Sequence, residues 1–522
     1  MAIEATDEIK ATRSQQRVLW NTANNFLGKF IALGAGFFLT PFILRQLGAT
    51  TYGLWALIGS LVAYGSLLDL GIGNAVTKYT AEYTARGEDD RTRRLIATAL
   101  RLYSLLGFIV VAATIALAPF VPRLLRVPLD QRPTAAWLVI LAGLVTGIAL
   151  PCSTTGAVLR GLQRYDTLNV IYITGTCLSV IATIGVLLLD GGVLGMVAVG
   201  IPVTVIMQAI SIAILVRVRP GLRFGWRDAD RSLVRPIMSF SAWLFLVDVA
   251  GRVQTKTDEL VIGIFLPISA VTPYAIANRL SGLGQIVANQ FLKVLLPLAS
   301  QLHAENDTAR LRALYITSTR LALALFLPMG CILFTLGQSI ITAWVGPAYA
   351  GSVPIVAILT LASLFDITMW TAGSILPAMA RHQPLAISAL CSAGLNLGLS
   401  IALVQRFGVV GVALGTLIPT AIECIGFVLP YTMRVMGVGI AEALKEIFLP
   451  AFLPAIPTAL VLALLRETDP ASLLSVAALS TLGLGIYIIA YLCVGASATE
   501  RRAYHNVVRS LLRLVRKQHG RA

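Results

Sequence analysis

The sequence predicts an all-α integral membrane protein with about fourteen transmembrane helices, arranged as two parallel six-helix lobes plus two C-terminal helices. The chain is 57% hydrophobic and 13% charged, with a mean hydropathy of +0.81, whereas charged residues make up about a quarter of a soluble domain. Apolar stretches long enough to cross a ~30 Å hydrocarbon core recur along the chain. Motifs of the first half also return in the second, about 217 residues later.

The predicted spans follow from the apolar stretches. They begin near Asn21, Tyr52, Leu95, Pro133, Asp166, Gly192, Pro236, Val271, Leu311, Gly351, Pro384, Gly408, Ile447 and Leu473. Because backbone polar groups must be satisfied within each segment in lipid, we expect α-helices. The chain lacks the alternating ten-residue segments typical of a membrane barrel. Residues 1–20 lack the apolar region of a signal peptide, so the first span should be retained.

The internal repeat predicts the lobes. Residues 190–202 (DGGVLGMVAVGIP) return as 407–419 (FGVVGVALGTLIP), and the motif at 156–165 returns at 373–382. Residues 47–53 return more weakly at 266–274. An even number of spans per repeat makes the two repeats parallel, an arrangement known in secondary transporters whose substrate site lies between the halves.

The repeat and the charge distribution together predict the domain boundaries. These are a cytoplasmic tail at 1–19, an N-lobe at 20–216, a basic linker at 217–235, a C-lobe at 236–432, helices 13 and 14 at 433–497, and a basic tail at 498–522.

Basic residues predict the orientation. About 28 of the 41 Lys and Arg residues fall on the side of the N-terminus and about six on the other side, so both termini and the linker should be cytoplasmic. The tail at 498–522 alternates apolar and basic residues. This pattern is typical both of an amphipathic helix on an anionic leaflet and of a solvated topology anchor.

Cations and amides within three spans predict a hydrated interior. On helix 7, Asp248, Arg252, Lys256 and Glu259 share one face. Similar polar faces occur on helices 1 and 8. The predicted substrate-binding residues are Lys29, Arg252, Lys256, Arg279, Lys293, Asn25, Asn278, Gln285 and Asn289. Such side chains suit a ligand that combines phosphate with sugar hydroxyls. Structural pairing of Asp248 with Arg252, and of Lys256 with Glu259, is the alternative.

Carboxylates in the spans are candidates for coupling to H⁺ or Na⁺. They are Asp69, Asp248, Asp258, Asp366 and Glu423. Asp366 and Glu423 have no cationic neighbours in sequence, which favours them as proton sites. We expect no cofactor and no metal site, because the six cysteines are scattered singly without metal-ligand spacing.

Four motifs resemble those of a known family. Residues 44–53 (LRQLGATTYG) and 68–75 (LDLGIGNA) resemble the signature of polysaccharide exporters of the multidrug/oligosaccharidyl-lipid/polysaccharide (MOP) superfamily. Residues 257–266 (TDELVIGIFL) and 274–280 (YAIANRL) resemble the block that opens their second lobe.

The resemblance implies a V-shaped, MATE-like flippase of the Wzx type in the bacterial inner membrane. Such proteins move undecaprenyl-pyrophosphate-linked oligosaccharides to the periplasmic leaflet for exopolysaccharide, capsule or O-antigen assembly. It also implies a cationic cavity for the pyrophosphate, assigned by helix position to Lys29, Arg252 and Arg279. The implied partners are the lipid-linked glycan, membrane lipids, a polymerase and glycosyltransferases, with no nucleic acid.

The alternatives left open are a lipid II flippase and a multidrug or cation antiporter of the same superfamily. A drug exporter of the major facilitator class is disfavoured, because residues 78–94 lack its loop motif. We expect no enzyme. The longest predicted periplasmic loop has only about a dozen residues, and there is no Walker A motif for ATP hydrolysis.

Overall fold

The computed structural model describes residues 2–220, 228–292, 295–467, 472–496 and 501. Within these ranges the side chains of 2–27, 29–30, 62, 66, 68, 239–248, 250–251, 253–255 and 287 are outside the description.

Helices α1 to α6 form the first half of the chain. The shared run Ala2–Gly65 breaks at Gly48 into α1 and α2, and α2 continues through the 3₁₀ turn Ser66–Asp69 into Ile72–Ala85. The following helices are α3 (Asp89–Leu117), α4 (Arg132–Gly161), α5 (Tyr165–Leu188) and α6 (Gly192–Ala198 with Gly200–Val218).

Helices α7 to α14 complete the chain. They are α7 (Val234–Phe265), α8 (Val271–Leu292, followed by Leu295–Ala304), α9 (Thr308–Trp344), α10 (Val353–Ala378), α11 and α12 (the run Gln383–Glu423, divided at Gly408, with α12 ending in Leu429–Met436), α13 (from Ile440–Ala443 to Ala455–Arg466) and α14 (Leu473–Ala490).

The predicted all-α membrane fold is confirmed. Ten helices among the described residues are long and apolar enough to cross a membrane. Two of them each contain two spans, because Gly48 (φ 74°) and Gly408 (φ 59°) leave the helical region there. Helices α7 and α8, which carry the predicted intramembrane charges, are not among these ten, and with them the described part of the chain has fourteen long helices.

The repeat is visible in the backbone of matching turns. After α4, Gln163 has φ 57°, and its N–H and that of Arg164 bond to the Arg160 and Leu159 carbonyls. After α10, Ala380 has φ 58°, and the same two bonds form 217 residues later, from Ala380 and Arg381 to Pro377 and Leu376. Both are left-handed helix ends of the Schellman type. The repeated sequence therefore encodes a repeated turn.

A second pair of turns has a similar conformation but is shifted by one residue, since Gly408 corresponds to Gly191 in the repeat. Gly192 at the start of α6 and Gly408 at the start of α12 both have φ 59°, a conformation that glycine adopts without steric cost. These glycines lie in the repeated segments 190–202 and 407–419.

The chain packs as two compact units, one of residues 1–275 and 397–412 and one of 276–396 and 413–522. In the first, α3 and α4 approach closely, since a Cβ on Gly107 would lie 2.4 Å from the Gly147 carbonyl oxygen. This unit includes α7, which packs on α2. The lobe boundaries drawn from the repeat stay a prediction.

Polar contacts in the second unit hold α13 against α9. The Arg312 Nη2 atom on α9 donates to both carboxylate oxygens of Glu442 on α13, at 2.6 and 2.5 Å. Arg320 on α9 is buried, and its Nη1 donates to the Glu446 carbonyl at 3.1 Å. Its side chain therefore does not extend to the headgroups, because α13 covers this face of α9.

The end of the linker is fixed to α3 by charge. Asp228 pairs with Arg93 at 3.1 Å, and Asp230 lies 3.7 Å from Arg94. Hydrogen bonds from the side chain and N–H of Ser232, together with nearby Arg94, lower the pKa of Asp230. The Asp230 carboxylate therefore stays ionised.

Candidate substrate and coupling sites

The second half of α7 separates its charges by sign. Arg252 and Lys256, one turn apart, are both partly exposed. Asp258 and Glu259, in the next turn, are 3% and 7% exposed. The protein therefore covers the two cations only in part, whereas the carboxylates belong to the packed interior.

The buried carboxylates lie in a cluster of hydrogen-bonding side chains on α2, α7 and α8, which we call the α2–α7 cluster. Its members are Ser60, Tyr64, Thr257, Asp258, Glu259 and Tyr274. Ser60 donates to Glu259, and Tyr274 donates to Asp258. The Tyr64 and Thr257 hydroxyl oxygens are 2.6 Å apart. Since buried polar groups are costly unless bonded, these bonds allow carboxylates to sit inside a span.

Close backbone packing adjoins this cluster. A Cβ on Gly53 of α2 would lie 2.5 Å from the Ile268 carbonyl oxygen, and one on Gly263 of α7 would lie 2.6 Å from Leu57. The Thr272 hydroxyl donates to the Ala49 carbonyl at 2.6 Å. The turn after α1 is thereby joined to the turn after α7.

The other predicted substrate-binding residues divide into two groups. On α8, Asn278 and Gln285 are partly exposed, while Arg279 and Asn289 are exposed. Asn25, Lys29 and Lys293 lie outside the described side chains, as does the coupling candidate Asp248. Contact of any of these residues with a substrate stays a prediction.

The two favoured coupling carboxylates both lie in the second unit. Glu423 on α12 accepts a hydrogen bond from Ser388 on α11 at 2.9 Å. Asp366 on α10 lies within electrostatic range of Glu423. Asp69, by contrast, accepts hydrogen bonds from Tyr103 and, at 3.4 Å, from the Gly73 N–H. Those bonds tie the break in α2 to α3, an arrangement that suits structural support.

A cavity of about 560 Å³ lies in the first unit, between α1, α4, α5 and α6, and its described lining contains none of the predicted site residues. Polar side chains enter it from α5 and α6 at helical spacing. They are Thr176, Ser179, Thr183, Thr204, Gln208 and Ser211. The spacing was present in the sequence, but hydroxyls in apolar helices usually bond their own backbone. The spacing alone therefore does not indicate a cavity.

Among the described residues, no group of three or more His, Cys, Asp and Glu side chains could hold a metal ion.

Comparison with known proteins identifies the family. The model of the polysaccharide biosynthesis protein family matches residues 42–354, more than half of the chain. The chain belongs to this family. The match includes α2, α7 and α8, and therefore the α2–α7 cluster and the cations Arg252 and Lys256.

Relatives of known sequence agree with this assignment. The chain is 21% identical to the uncharacterized membrane protein EpsK of Bacillus subtilis, covering 80% of this chain and 83% of EpsK. It is 21% identical to the probable flippase AglR of Haloferax volcanii, covering 73% of this chain and 77% of AglR.

The fold is shared with transporters of known structure. Lipid II flippase MurJ in its inward closed conformation matches with a TM-score of 0.72 at 15% identity, over 94% of this chain and all of MurJ. An inward-facing multidrug MATE transporter of the MOP superfamily matches with a TM-score of 0.69 at 14% identity, over 78% of this chain and 95% of the transporter. The family match confirms the resemblance to polysaccharide exporters, the solved structures show the same fold, and the chain is a multi-pass membrane protein.

Proposed function

We propose that the protein is a flippase that moves undecaprenyl-pyrophosphate-linked oligosaccharides across the bacterial inner membrane, for surface polysaccharide assembly. It is not an enzyme in this proposal, and both its termini are cytoplasmic. The observation that carries the proposal is the pair of partly exposed cations, Arg252 and Lys256, inside a span of a chain that belongs to a polysaccharide biosynthesis family. The sequence similarity to AglR, a probable flippase, also supports the proposal.

The chemistry follows from the cost of charge in lipid. A cation within a span has a high free energy in lipid unless it faces a cavity or an oppositely charged partner. A pyrophosphate that moves through the membrane likewise needs a polar or oppositely charged environment. The Arg252 guanidinium can bind two phosphate oxygens at once, and the Lys256 ammonium adds a point charge one turn away. In alternating access, the headgroup would neutralise these cations while the lipid tail stays in the bilayer.

A cationic ligand suits this site less well. Among the described side chains, the charges in the predicted spans of α7 and α8 that are not buried are Arg252, Lys256 and Arg279. These would repel the cationic substrates of a multidrug antiporter. A lipid II flippase would use the same pyrophosphate chemistry and differ only in the glycan.

The direct test is transfer across a defined bilayer. Purified protein in liposomes that contain undecaprenyl-pyrophosphate-linked oligosaccharide should move the glycan from the inner to the outer leaflet, where an added glycosidase cleaves it. In protein-free liposomes the glycosidase reaches only the glycan in the outer leaflet, about half of the total. We expect the cleaved fraction to exceed one half when the protein is present. A rate equal to that of protein-free liposomes, together with transport of a cationic dye by the same preparation, would favour the antiporter.

We further propose that transport is coupled to H⁺ or Na⁺ at Asp366 and Glu423. Two carboxylates near each other on neighbouring spans repel when both are ionised, and a shared proton or monovalent cation relieves this repulsion. The Ser388 hydroxyl supplies a further oxygen ligand, and the three side chains come from three helices, so that movement between the helices would alter the ion's surroundings.

Asp366→Asn is expected to remove the dependence of transport on the ion gradient. The variant keeps the shape of the side chain and eliminates the repulsion, so protein abundance should stay near that of the wild type. Transport in liposomes would be measured with and without an imposed pH or Na⁺ gradient. Asp190→Asn, which changes an exposed carboxylate in the turn between α5 and α6, serves as control. A gradient response in Asp366→Asn equal to that of the control would remove Asp366 from the coupling site.

A further inference from the structure

The cavity between α1, α4, α5 and α6 has a polar lining in an apolar environment. On α5 the polar side chains Thr176, Ser179 and Thr183 recur at intervals of three and four residues, and so face one side of the helix. On α6, Thr204, Gln208 and Ser211 do the same. Both helices belong to membrane-spanning segments.

Several of these side chains have a defined orientation. The Thr176, Thr204 and Ser211 hydroxyls each donate to the carbonyl four residues earlier in their own helix, at 2.7 to 2.8 Å. A hydroxyl that donates in this way keeps acceptor capacity for a ligand. Gln208 Nε2 donates to Thr155 on α4 at 2.9 Å, which holds its amide in position.

Small residues create the space. Ala32, Ala35 and Gly36 form the α1 wall, and Gly175 lies opposite Met207, where a Cβ would be 3.5 Å from the nearest side-chain atom. The volume of about 560 Å³ is within the ~300–1,000 Å³ of small-ligand sites. The described residues that line it include no Lys, Arg, Asp or Glu.

From these observations we infer that this cavity is a subsite for the uncharged sugar portion of the lipid-linked substrate. Hydroxyl and amide side chains both donate and accept hydrogen bonds, as sugar hydroxyls do, while Tyr172, Ile171 and Met207 offer apolar contact to the faces of a sugar ring. An acyl chain would gain nothing from six polar side chains. The inference rests on the proposed flippase function and assigns glycan recognition to α5 and α6, apart from the cations of α7.

The test compares two lipids that differ only in the glycan. Binding of undecaprenyl-pyrophosphate-linked oligosaccharide and of undecaprenyl pyrophosphate to detergent-purified protein would be followed by native mass spectrometry. We expect the wild type to bind the glycosylated lipid at least about tenfold more tightly. Thr183→Val, of equal shape, should weaken binding of the glycosylated lipid about fivefold, the typical effect of one neutral hydrogen bond, and leave binding of the sugarless lipid unchanged.

The same helix provides the control. Thr174→Val makes the same chemical change at an exposed position outside the cavity, and should affect neither lipid. Gln208→Leu is a second variant on α6 and should reproduce the selective loss, so that one unstable protein does not decide the result. Wild-type protein that binds both lipids equally, or cavity variants that match Thr174→Val, would overturn the subsite while leaving the flippase proposal standing. Failure of the wild type to bind either lipid would overturn both.

Discussion

Arg252→Ala is expected to reduce glycan transfer by at least about tenfold while protein abundance stays near normal. A hydrogen bond to a charged group contributes about 1.5–3 kcal/mol, which corresponds to roughly 10- to 150-fold in binding. Arg252→Lys should retain part of the activity, because the charge remains but the two-pronged contact with phosphate is lost. Transfer in liposomes and abundance by fluorescence-detected gel filtration measure the two effects separately.

A structural role for Arg252 predicts a different pattern. If Arg252 serves only to pair with Asp248, its removal leaves an unmatched carboxylate and lowers abundance, and the double variant with Asp248→Asn restores both abundance and transfer. Rescue of transfer by the double variant would therefore reject contact of Arg252 with the headgroup. Arg235→Ala, at the exposed start of α7 and in the predicted linker, is the matched control and should transfer normally.

The order of the helices was largely predictable because long apolar stretches mark most of them along the chain. All fourteen predicted starts fall within or beside helices α1 to α14, and the breaks at Gly48 and Gly408 lie at predicted boundaries. The repeat was also predictable. Its turns depend on local backbone conformation, and the segments around Gly192 and Gly408 keep a glycine where φ must be positive.

The distribution of charge around α7 was only partly predictable. Helical periodicity placed Arg252, Lys256 and Glu259 on one polar face, but periodicity does not show which neighbouring helix covers each turn. In the structure α2 covers the end of the helix, so Glu259 bonds to Ser60, 199 residues away. Arg252, two turns earlier, stays partly exposed. The contacts that separate the two residues come from distant sequence and leave no local signal.

The packing of α2 on the turn after α7 makes Gly53 the most sensitive small residue of the candidate site. With the Ile268 carbonyl oxygen 2.5 Å from the position of a Cβ, Gly53→Ala forces α2 away from residues 268–272. The Thr272–Ala49 hydrogen bond, now 2.6 Å, should break, and overpacking of this kind costs about 1–3 kcal/mol. We expect glycan transfer to fall by about tenfold or more, because the joined turns no longer close on the predicted periplasmic side.

Gly59→Ala isolates this effect. Gly59 lies on the same helix and is exposed, and a methyl group added there would point into open space. The alanine there should leave transfer unchanged. Opening of the joint itself can be followed with a reporter at the neighbouring buried Val271, Val271→Cys, which leaves the Thr272–Ala49 hydrogen bond in place, and a membrane-impermeant maleimide. Labelling from the periplasmic side should be faster in the Gly53→Ala background than in the Gly59→Ala background. Equal labelling and equal transfer in the two backgrounds would show that contact between α2 and the turn after α7 does not control access to the site.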